Sequence, residues 1–308
     1  MSRVPESKRG VATRAGGDAE GVASRPLDPG LYLVATPIGN AADITLRALD
    51  VLTRADALAA EDTRQTRKLL DIHGIALSGR PIISYNDRNG AERRPQIMRW
   101  LGEGRSVAYC SDAGMPLIAD PGYRLVEAAI EDGHTLASIP GASAALTALQ
   151  LSGLPTDRFL FAGFLPPKSA ARRTALTDLY TAPVTLVFYE SARRLAAALA
   201  DMAAVLGPDR PVAVARELTK RFEEVRRGTL GSLADAYAAE PDPRGEIVII
   251  AGPPSAEQEH QSRILDLDSR LREALVSQSV KDATREVARS LGLPRNEVYA
   301  RALELSGR

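Results

Sequence analysis

Short hydrophobic runs alternate with stretches of helical periodicity from Leu31 to the middle of the chain. The runs predict strands at residues 31–36, 57–60, 82–85, 107–110 and 135–139. Between them, apolar positions three or four residues apart predict helices at residues 44–52, 63–72, 92–101 and 123–131. Alternation of this kind predicts an α/β fold with a largely parallel sheet and helices on both of its faces.

A second series of strands and helices follows. Strands are predicted at residues 159–164, 184–189, 212–216, 222–227 and 246–251, and helices at residues 170–180, 192–205 and 230–239. The third and fourth of these strands have no helix between them, so this sheet is expected to be mixed. Gly153 and Pro155 interrupt the pattern, which predicts an N-terminal domain at residues 30–152 and a C-terminal domain at residues 153–253.

The two ends of the chain have patterns of their own. Residues 1–29 are rich in Gly, Ala, Arg and Ser and predict a disordered tail. A polar linker is predicted at residues 254–262 and a helical extension at residues 263–308. Within the extension, Ser279 and Asp282 have the spacing of a helix cap, and Gly292 and Pro294 separate two amphipathic helices. Helix, short turn and helix are the layout of a helix-turn-helix.

Composition and charge narrow the classes of protein. The formal net charge of the 308 residues is zero, so any binding of nucleic acid must come from local basic patches. Cys110 is the single cysteine, which excludes an intrachain disulfide and fits a reducing, cytoplasmic location. Histidine and cysteine show no spacing of metal ligands, so no metal is expected. Every apolar run is too short to cross a membrane, so no membrane association is expected.

Three polar loops follow the first, fourth and fifth predicted strands, with the sequences ATPIGN, SDAGMP and PGAS. Ligands bind beyond the carboxyl ends of parallel strands, where glycine lets the backbone come close, so together these loops predict a ligand-binding mouth. Taken singly, each loop is more simply a turn. The dinucleotide, P-loop and nucleophile-elbow motifs are missing, which disfavours oxidoreductases, P-loop hydrolases and α/β-hydrolases.

Six segments together resemble the blocks of a known family. They are LYLVATPIGN, AAEDTRQTRKLL, SDAGMPLIADPG, IPGASA, FAGFLPPK and FYESARR. In order and spacing they are similar to the RsmI family, the 16S ribosomal RNA cytidine 2′-O-methyltransferases of the tetrapyrrole-methylase superfamily. The resemblance implies that superfamily's two-domain fold with a helical, helix-turn-helix-like extension. It also implies S-adenosylmethionine as cofactor, held between the domains, and a cytidine of the decoding region in the small ribosomal subunit as substrate. A homodimer is a further implication.

The same resemblance implies which residues form the site. The cofactor-binding residues carried over are Pro37, Gly39, Asp112, Gly114, Met115, Ala142, Ser143, Phe188 and Glu190. Asp112 is expected to accept hydrogen bonds from the ribose hydroxyls or the amine of the cofactor. The general base stays open among Glu61, Asp62, Glu190 and Lys220, and for each of them an ordinary ion-paired or solvated charge is the alternative.

Local basic clusters predict where RNA would bind. The predicted contacts are Arg64, Arg67, Lys68, Lys168, Arg172, Arg173, Lys281, Arg285 and Arg289. The last three recur every four residues, a spacing that places them along one face of a helix and suits contacts with phosphates. The alternative is a solvated helix face with intrahelical ion pairs.

Two other functions stay open. One is C-methylation of a tetrapyrrole, which the sequence TPIGN disfavours because the first loop of those enzymes is richer in glycine. The other is a non-catalytic protein that binds RNA or DNA through its helical extension, which the presence of a complete cofactor mouth disfavours.

Overall fold

The computed structural model describes residues 26–306, apart from the side chains of residues 258–263 and 265. This part of the chain divides into two units. Unit 1 holds the residues up to Pro37 and Ala41–Ala142, and unit 2 holds Ile38–Asn40 and the residues from Ser143 onward. Of the predicted disordered tail, residues 1–25 lie outside the described residues.

Unit 1 is a five-stranded parallel sheet with four helices. Its elements in chain order are β1 (Gly30–Val34), α1 (Leu46–Arg54), β2 (Ala57–Ala60), α2 (Thr63–Ile72), β3 (Ile82–Ser84), α3 (Gly90–Gly102), β4 (Ser106–Cys110), α4 (Tyr123–Glu131) and β5 (Leu136–Ile139). The strand order is β3-β2-β4-β1-β5, and every neighbouring pair is parallel. The predicted parallel α/β sheet is confirmed.

The direction in which the chain moves along this sheet decides which face each helix covers. From β1 to β3 it moves toward one edge, and from β3 to β5 it returns toward the other. Because crossovers between parallel strands are right-handed, α1 and α2 must cover one face and α3 and α4 the opposite face. The two cores agree: Leu52 and Leu70 pack with Val34 on one side, and Trp100 and Leu125 pack with β-strand residues on the other.

Cys110 ends β4 inside the first of these cores and is fully buried. Burial raises the pKa of its thiol to about 12, because an apolar surrounding disfavours the thiolate.

Unit 2 begins with a mixed sheet and its helices. In chain order the elements are α5 (Ala144–Ser152), β6 (Phe159–Phe164), α6 (Ser169–Thr177), β7 (Thr185–Ser191), α7 (Leu195–Leu206), β8 (Pro211–Arg216), β9 (Glu224–Thr229), α8 (Leu230–Ala239) and β10 (Glu246–Ala251). The strand order is β6-β7-β10-β8-β9. Only β6 and β7 are parallel among the described pairs, and β8 and β9 form the predicted hairpin.

The division between the units differs from the predicted boundary at residues 152/153. Helix α5 was not predicted, and it packs against β7, β8 and β10 of the second sheet. The division therefore falls after Ala142. Gly153 has φ +75° and caps the end of α5 in the left-handed conformation that glycine favours. The glycine signal thus marks a helix end and not a domain boundary.

Three helices complete unit 2: α9 (Ala256–Leu275), α10 (Val280–Leu291) and α11 (Arg295–Leu305). The predicted helical extension is confirmed, but residues 256–262, predicted as part of a polar linker, form the first turns of α9. Ser279 caps α10 through its hydroxyl, which accepts from the Asp282 amide at 3.2 Å. Among the described helices, none combines the length and the apolar composition that crossing a membrane requires.

Candidate functional site

The loops that follow β1 and β4 are tied together in unit 1. The amide of Thr36 donates to the Gly114 carbonyl at 2.9 Å, and the amide of Gly114 donates back at 3.0 Å. The Thr36 hydroxyl donates to the Ser111 carbonyl at 3.2 Å. Gly114 has φ +77°, a conformation that side chains disfavour, so this pairing depends on glycine. The two loops predicted to share a ligand mouth therefore meet.

This meeting point is where the sheet topology favours a ligand. Strands β1 and β4 are neighbours, but the helices that follow them lie on opposite faces of the sheet. Loops that part toward opposite faces leave a crevice beyond the carboxyl ends of their strands. Pro37, Gly114 and Met115 lie on these loops, and Pro37 and Met115 are half-buried.

Carboxylates after β2 and β4 hold each other's backbone. The Asp62 amide donates to Oδ1 of Asp112 at 2.9 Å, and the Asp112 amide donates to Oε2 of Glu61 at 3.3 Å. Each loop thus fixes a carboxylate of the other. Asp62 also begins α2, where it accepts from the Arg64 amide at 2.8 Å.

A cavity of about 490 Å³ opens beside these carboxylates, at the carboxyl ends of β2, β3 and β4. It is lined by Glu61, Asp62, Thr63, Arg64, Ser84, Asn86, Asp87, Arg88, Asp112 and Pro121. Its volume is within the range of small-molecule sites. Four of the lining residues are acidic and two are basic, so the cavity favours a cationic ligand. Within the described residues, no group of three or more His, Cys, Asp or Glu side chains is arranged to hold a metal ion.

The acidic side chains of this region differ in their titration. Burial, together with neighbouring carboxylates, raises the pKa of Glu61 and that of Asp112. Burial and the charge of Glu61 raise the pKa of Asp120 to about 7. In contrast, hydrogen bonds from Arg64 lower the pKa of Asp62 to about 2. Glu61 and Asp120 are therefore stronger bases than ordinary carboxylates, and Asp62 is a weaker one.

The loop that carries Asp112 and Asp120 has a strained backbone, which the side chain of Tyr109 holds in place. Leu117 and Ala119 have φ of +71° and +62°, which non-glycine residues rarely adopt. A Cβ on Gly122 would lie 2.7 Å from the Tyr109 ring, so only glycine fits there. The hydroxyl of the fully buried Tyr109 donates to the Pro121 carbonyl at 2.7 Å. Backbone strain held in place by packing is typical of functional loops.

Several residues of the cavity were not singled out in the sequence. Ser84, Asn86, Asp87 and Arg88 line it, and Asp120 lies close enough to interact with the charges of Glu61 and Asp112. The hydroxyl of Ser84 donates to the Glu61 carbonyl at 3.1 Å and so joins the loop after β3 to the site. The segment NDRNG after the third strand has the same polar, glycine-containing character as the three loops predicted to form the ligand mouth. That signal identifies the loop after β3 equally well.

Two predicted base candidates belong to ion pairs in unit 2. Glu190 is buried, and its carboxylate accepts from the Ser191 amide at 2.7 Å and from Arg194 at 3.1 Å. Lys220 donates to Glu217 at 2.8 Å and to Glu246 at 2.9 Å. Burial alone would lower the pKa of Lys220, but these hydrogen bonds outweigh it and raise the pKa. Lys220 therefore stays protonated, which does not suit a general base.

Three predicted cofactor residues have structural roles in unit 2. The side chain of Phe188 is fully buried in the apolar core of unit 2. A Cβ on Gly39 would lie 2.5 Å from Cγ of Lys220, so packing explains this glycine. Ser143 caps α5 by accepting from the Leu146 amide at 3.4 Å. Ala142 is half-buried at the end of unit 1.

Every predicted RNA contact except Arg172 is exposed, and three of the exposed arginines form ion pairs. Arg67, Lys68, Lys168 and Arg289 are exposed. Arg64, Arg173 and Arg285 are ion-paired with Asp62, Asp201 and Asp282, respectively. Arg172 contradicts its prediction, because it is only 4% exposed and lies 2.6 Å from the buried Asp201 carboxylate. An arginine buried in this way holds α6 against α7 and cannot reach a phosphate.

Residues 30–234 match the model of the tetrapyrrole (corrin/porphyrin) methylases, and residues 263–306 match that of the RsmI C-terminal HTH domain. A ribosomal RNA small subunit methyltransferase I from Mesorhizobium japonicum is 50% identical over 284 residues, which are 92% of this chain and 95% of that protein. Among solved structures, a cobalt-precorrin-4 methyltransferase of cobalamin biosynthesis has a TM-score of 0.55 and 18% identity, covering 72% of this chain and 94% of its own. The uroporphyrin-III C-methyltransferase of Thermus thermophilus, complexed with S-adenosyl homocysteine, has a TM-score of 0.50 and 20% identity, covering 72% and 97%.

Proposed function

Because this chain belongs to the tetrapyrrole (corrin/porphyrin) methylase family, we propose that it transfers a methyl group from S-adenosylmethionine to the 2′-oxygen of a cytidine in the decoding region of 16S ribosomal RNA. The relatives identify the chain as a ribosomal RNA small subunit methyltransferase. Its cofactor, the methylated atom and the methylated nucleotide are what we propose. The single observation that carries it is the 50% identity, over 92% of this chain, to a protein of that name. The homodimer and the cytoplasmic location stay predictions.

The charges that line the cavity of unit 1 support the choice of S-adenosylmethionine as cofactor. S-adenosylmethionine is a cation at its sulfonium and its amine, and an excess of carboxylates stabilises such charges. Asp112 is exposed at the cavity, so its carboxylate can accept from the amine or the ribose hydroxyls. On the same loop Gly114 has no side chain at its positive φ, and Met115 is a half-buried apolar residue. These residues fit the cofactor without a glycine-rich fingerprint.

When bound, the cofactor supplies a methyl group already activated by the positive sulfur. The residues of this chain then have two tasks: to align the 2′-hydroxyl with that methyl group and to take its proton. Alignment contributes up to about 7–11 kcal/mol for well-oriented reactants. The loop after β4 suits this task because Tyr109 and the Thr36–Gly114 pairing hold it rigidly.

Glu61 is the general base of the proposal. Its Oε2 accepts from the Asp112 amide, so Oε1 is the atom that takes the proton of the 2′-hydroxyl. Burial raises the pKa of Glu61, and a base whose pKa is closer to neutrality accepts a proton more readily. Asp62 is disfavoured by its lowered pKa, and Glu190 and Lys220 by their ion pairs. Glu61→Gln is expected to slow methyl transfer by about 10²–10⁴-fold.

The test uses S-adenosylmethionine tritiated in its methyl group and small ribosomal subunits that lack the modification. After alkaline hydrolysis, label in an alkali-resistant dinucleotide is the expected result, because a 2′-O-methyl group blocks cleavage at its own phosphodiester. Label in alkali-sensitive nucleotides would place the methyl group on a base, and unlabelled RNA would shift the proposal toward a tetrapyrrole acceptor.

Asp112→Asn adds a test of the site to this assay. The variant keeps an oxygen for the Asp62 amide but loses the charge, so it should bind S-adenosylmethionine at least about tenfold more weakly in calorimetry. The matched control is Asp71→Asn, an exposed aspartate near the end of α2, which should bind as the unchanged chain does. Equal affinity of the Asp112 variant would remove Asp112 from the cofactor site.

A further inference from the structure

A second cavity, of about 460 Å³, lies within the extension between α10 and α11. It is lined by Lys281, Thr284, Arg295, Asn296 and Tyr299. Lys281 and Thr284 belong to the first half of α10, and the other three residues to the first half of α11. The groove formed by these five residues is here called the α10–α11 groove.

The walls of the α10–α11 groove are fixed by the core of the extension. Val287 of α10 and Val298 of α11 pack with Leu271 of α9. Arg301 of α11 makes two hydrogen bonds of 2.6 Å to the carboxylate of Asp268, which is only 6% exposed. Both helices are therefore held against α9, and the groove is preformed.

The basic side chains of this groove differ from the other arginines of the extension in their ion pairing. Arg270, Arg285 and Arg301 of the extension are paired with nearby carboxylates. Lys281 and Arg295 are exposed and form no ion pair within the part of the chain that the structure describes. Two exposed cations that make no ion pair with the described residues, facing one cavity, favour an anionic ligand.

The start of α11 adds backbone donors to this positive site. Pro294 precedes the helix and provides no side-chain cap, in contrast to Ser279 at the start of α10. The first amides of a helix have no intrahelical acceptor, and here they belong to Arg295 and Asn296, which line the groove. Such amides, with the positive end of the helix dipole, bind phosphate oxygens.

Tyr299 gives the groove a flat apolar surface. Its side chain is 46% exposed, and its ring is positioned one turn after the cationic end of α11. An exposed ring beside a phosphate site suits stacking of an unpaired base. In a duplex the base faces are covered by their neighbours, so a strand that stacks on Tyr299 must be single-stranded at that nucleotide.

We infer that the α10–α11 groove binds one unpaired nucleotide of an RNA strand, with its phosphate held by Lys281, Arg295 and the first amides of α11 and its base stacked on Tyr299. This inference rests on the proposed function for the choice of RNA. It also revises the predicted stripe of Lys281, Arg285 and Arg289: Lys281 acts with α11, while Arg285 is engaged by Asp282.

The experiment measures binding of the full chain to a fluorescein-labelled unpaired RNA of about twelve nucleotides by anisotropy, over a series of salt concentrations. Tyr299→Ala should weaken binding by about fivefold or more, while Tyr299→Phe, which keeps the ring, should bind as the unchanged chain does. Lys281→Gln combined with Arg295→Gln should make the slope of log affinity against log salt shallower by about 0.7 for each phosphate that the variant no longer neutralises. The matched control is Arg270→Gln, an exposed arginine that is already paired, and its affinity should not change.

Two results would overturn the inference. One is that Tyr299→Ala and the double glutamine variant bind the RNA as tightly as the unchanged chain. The other is tighter binding of a duplex DNA of equal length, which would assign the groove to a different nucleic acid. Methyl transfer by the unchanged chain to small ribosomal subunits is measured alongside. If that transfer occurs and the variants bind normally, only the groove assignment fails; if no RNA is methylated, the proposed function fails whatever the groove binds.

Discussion

Glu61 and Asp112 line one cavity of unit 1, and nearby carboxylates make their ionisation, and that of the neighbouring Asp120, more costly. Burial and the neighbouring negative charges raise the pKa of Glu61 and of Asp112, and raise that of Asp120 to about 7. A bound cation would reverse this effect, since it favours the charged form of every carboxylate near it. Binding of the proposed cationic cofactor is therefore expected to release protons.

The affinity for S-adenosylmethionine is accordingly expected to increase as the pH rises from about 5.5 to about 8, across the pKa of Asp120. Calorimetry in buffers of different ionisation enthalpy should detect proton release in the lower half of this range. Asp120→Asn should flatten the profile, because the amide does not titrate. An unchanged slope in that variant would mean that Asp120 is not part of the linkage.

The same group affects stability with a definite sign. A carboxyl whose pKa is raised in the folded chain favours folding at low pH, and this contribution is lost as the pH rises through about 7. Asp120→Asn should therefore be more stable than the unchanged chain at pH 8, by about 1 kcal/mol after solvent screening, and no more stable at pH 5. Urea unfolding without cofactor at both values measures the difference.

At the scale of elements, the contact between α9 and α11 depends on one buried carboxylate. Hydrogen bonds from Arg301 lower the pKa of Asp268, which is 6% exposed. Asp268→Asn should destabilise the extension by about 2 kcal/mol, because it removes the charge from both hydrogen bonds and leaves Arg301 paired only with the exposed Glu304. Chemical unfolding followed by circular dichroism is the measurement. Asp266→Asn, which breaks the exposed pair with Arg270, is the matched control and should cost less than about 0.5 kcal/mol.

The elements of unit 1 could be predicted from the sequence because its strands are buried runs between amphipathic helices. Strand β9 was placed too early, at residues 222–227, because an edge strand with charged residues has no apolar run to mark it. Helix α5 was missed because its sequence AALTALQLS is mostly apolar and lacks the alternation of faces that identifies a helix. The first turns of α9 read as a linker in the sequence because AEQEHQS contains a single apolar residue.

The candidate site could be predicted only as far as the loops. Strand ends are visible in the sequence, so the loop that carries Asp112 and Gly114 could be predicted. The partners of charged side chains are not visible, because they come from distant positions. Arg172 is paired with Asp201, and Lys220 with Glu246. In the sequence both cations look unpaired, because their carboxylate partners are brought close only by the fold.

At the scale of the whole chain, the extension has a core of its own. Its buried residues Leu267, Leu271, Val287, Val298 and Ala302 pack with one another. Removal of residues 256–308 should therefore leave the affinity for S-adenosylmethionine within about twofold, while the affinity for single-stranded RNA should fall by about tenfold or more. Calorimetry and anisotropy on the truncated chain, with circular dichroism to confirm that it is folded, decide this. RNA affinity equal to that of the full chain would give the extension another role.

The burial of Cys110 has a practical consequence. The chain has one thiol, it is enclosed in the core of unit 1, and its high pKa leaves almost no thiolate at neutral pH. Maleimides and aromatic disulfides should thus not react with Cys110 in the native protein. A single cysteine introduced anywhere on the surface can then carry a fluorophore or a spin label without removal of the natural one. The rate at which a thiol reagent modifies Cys110 in turn measures how often the first sheet opens.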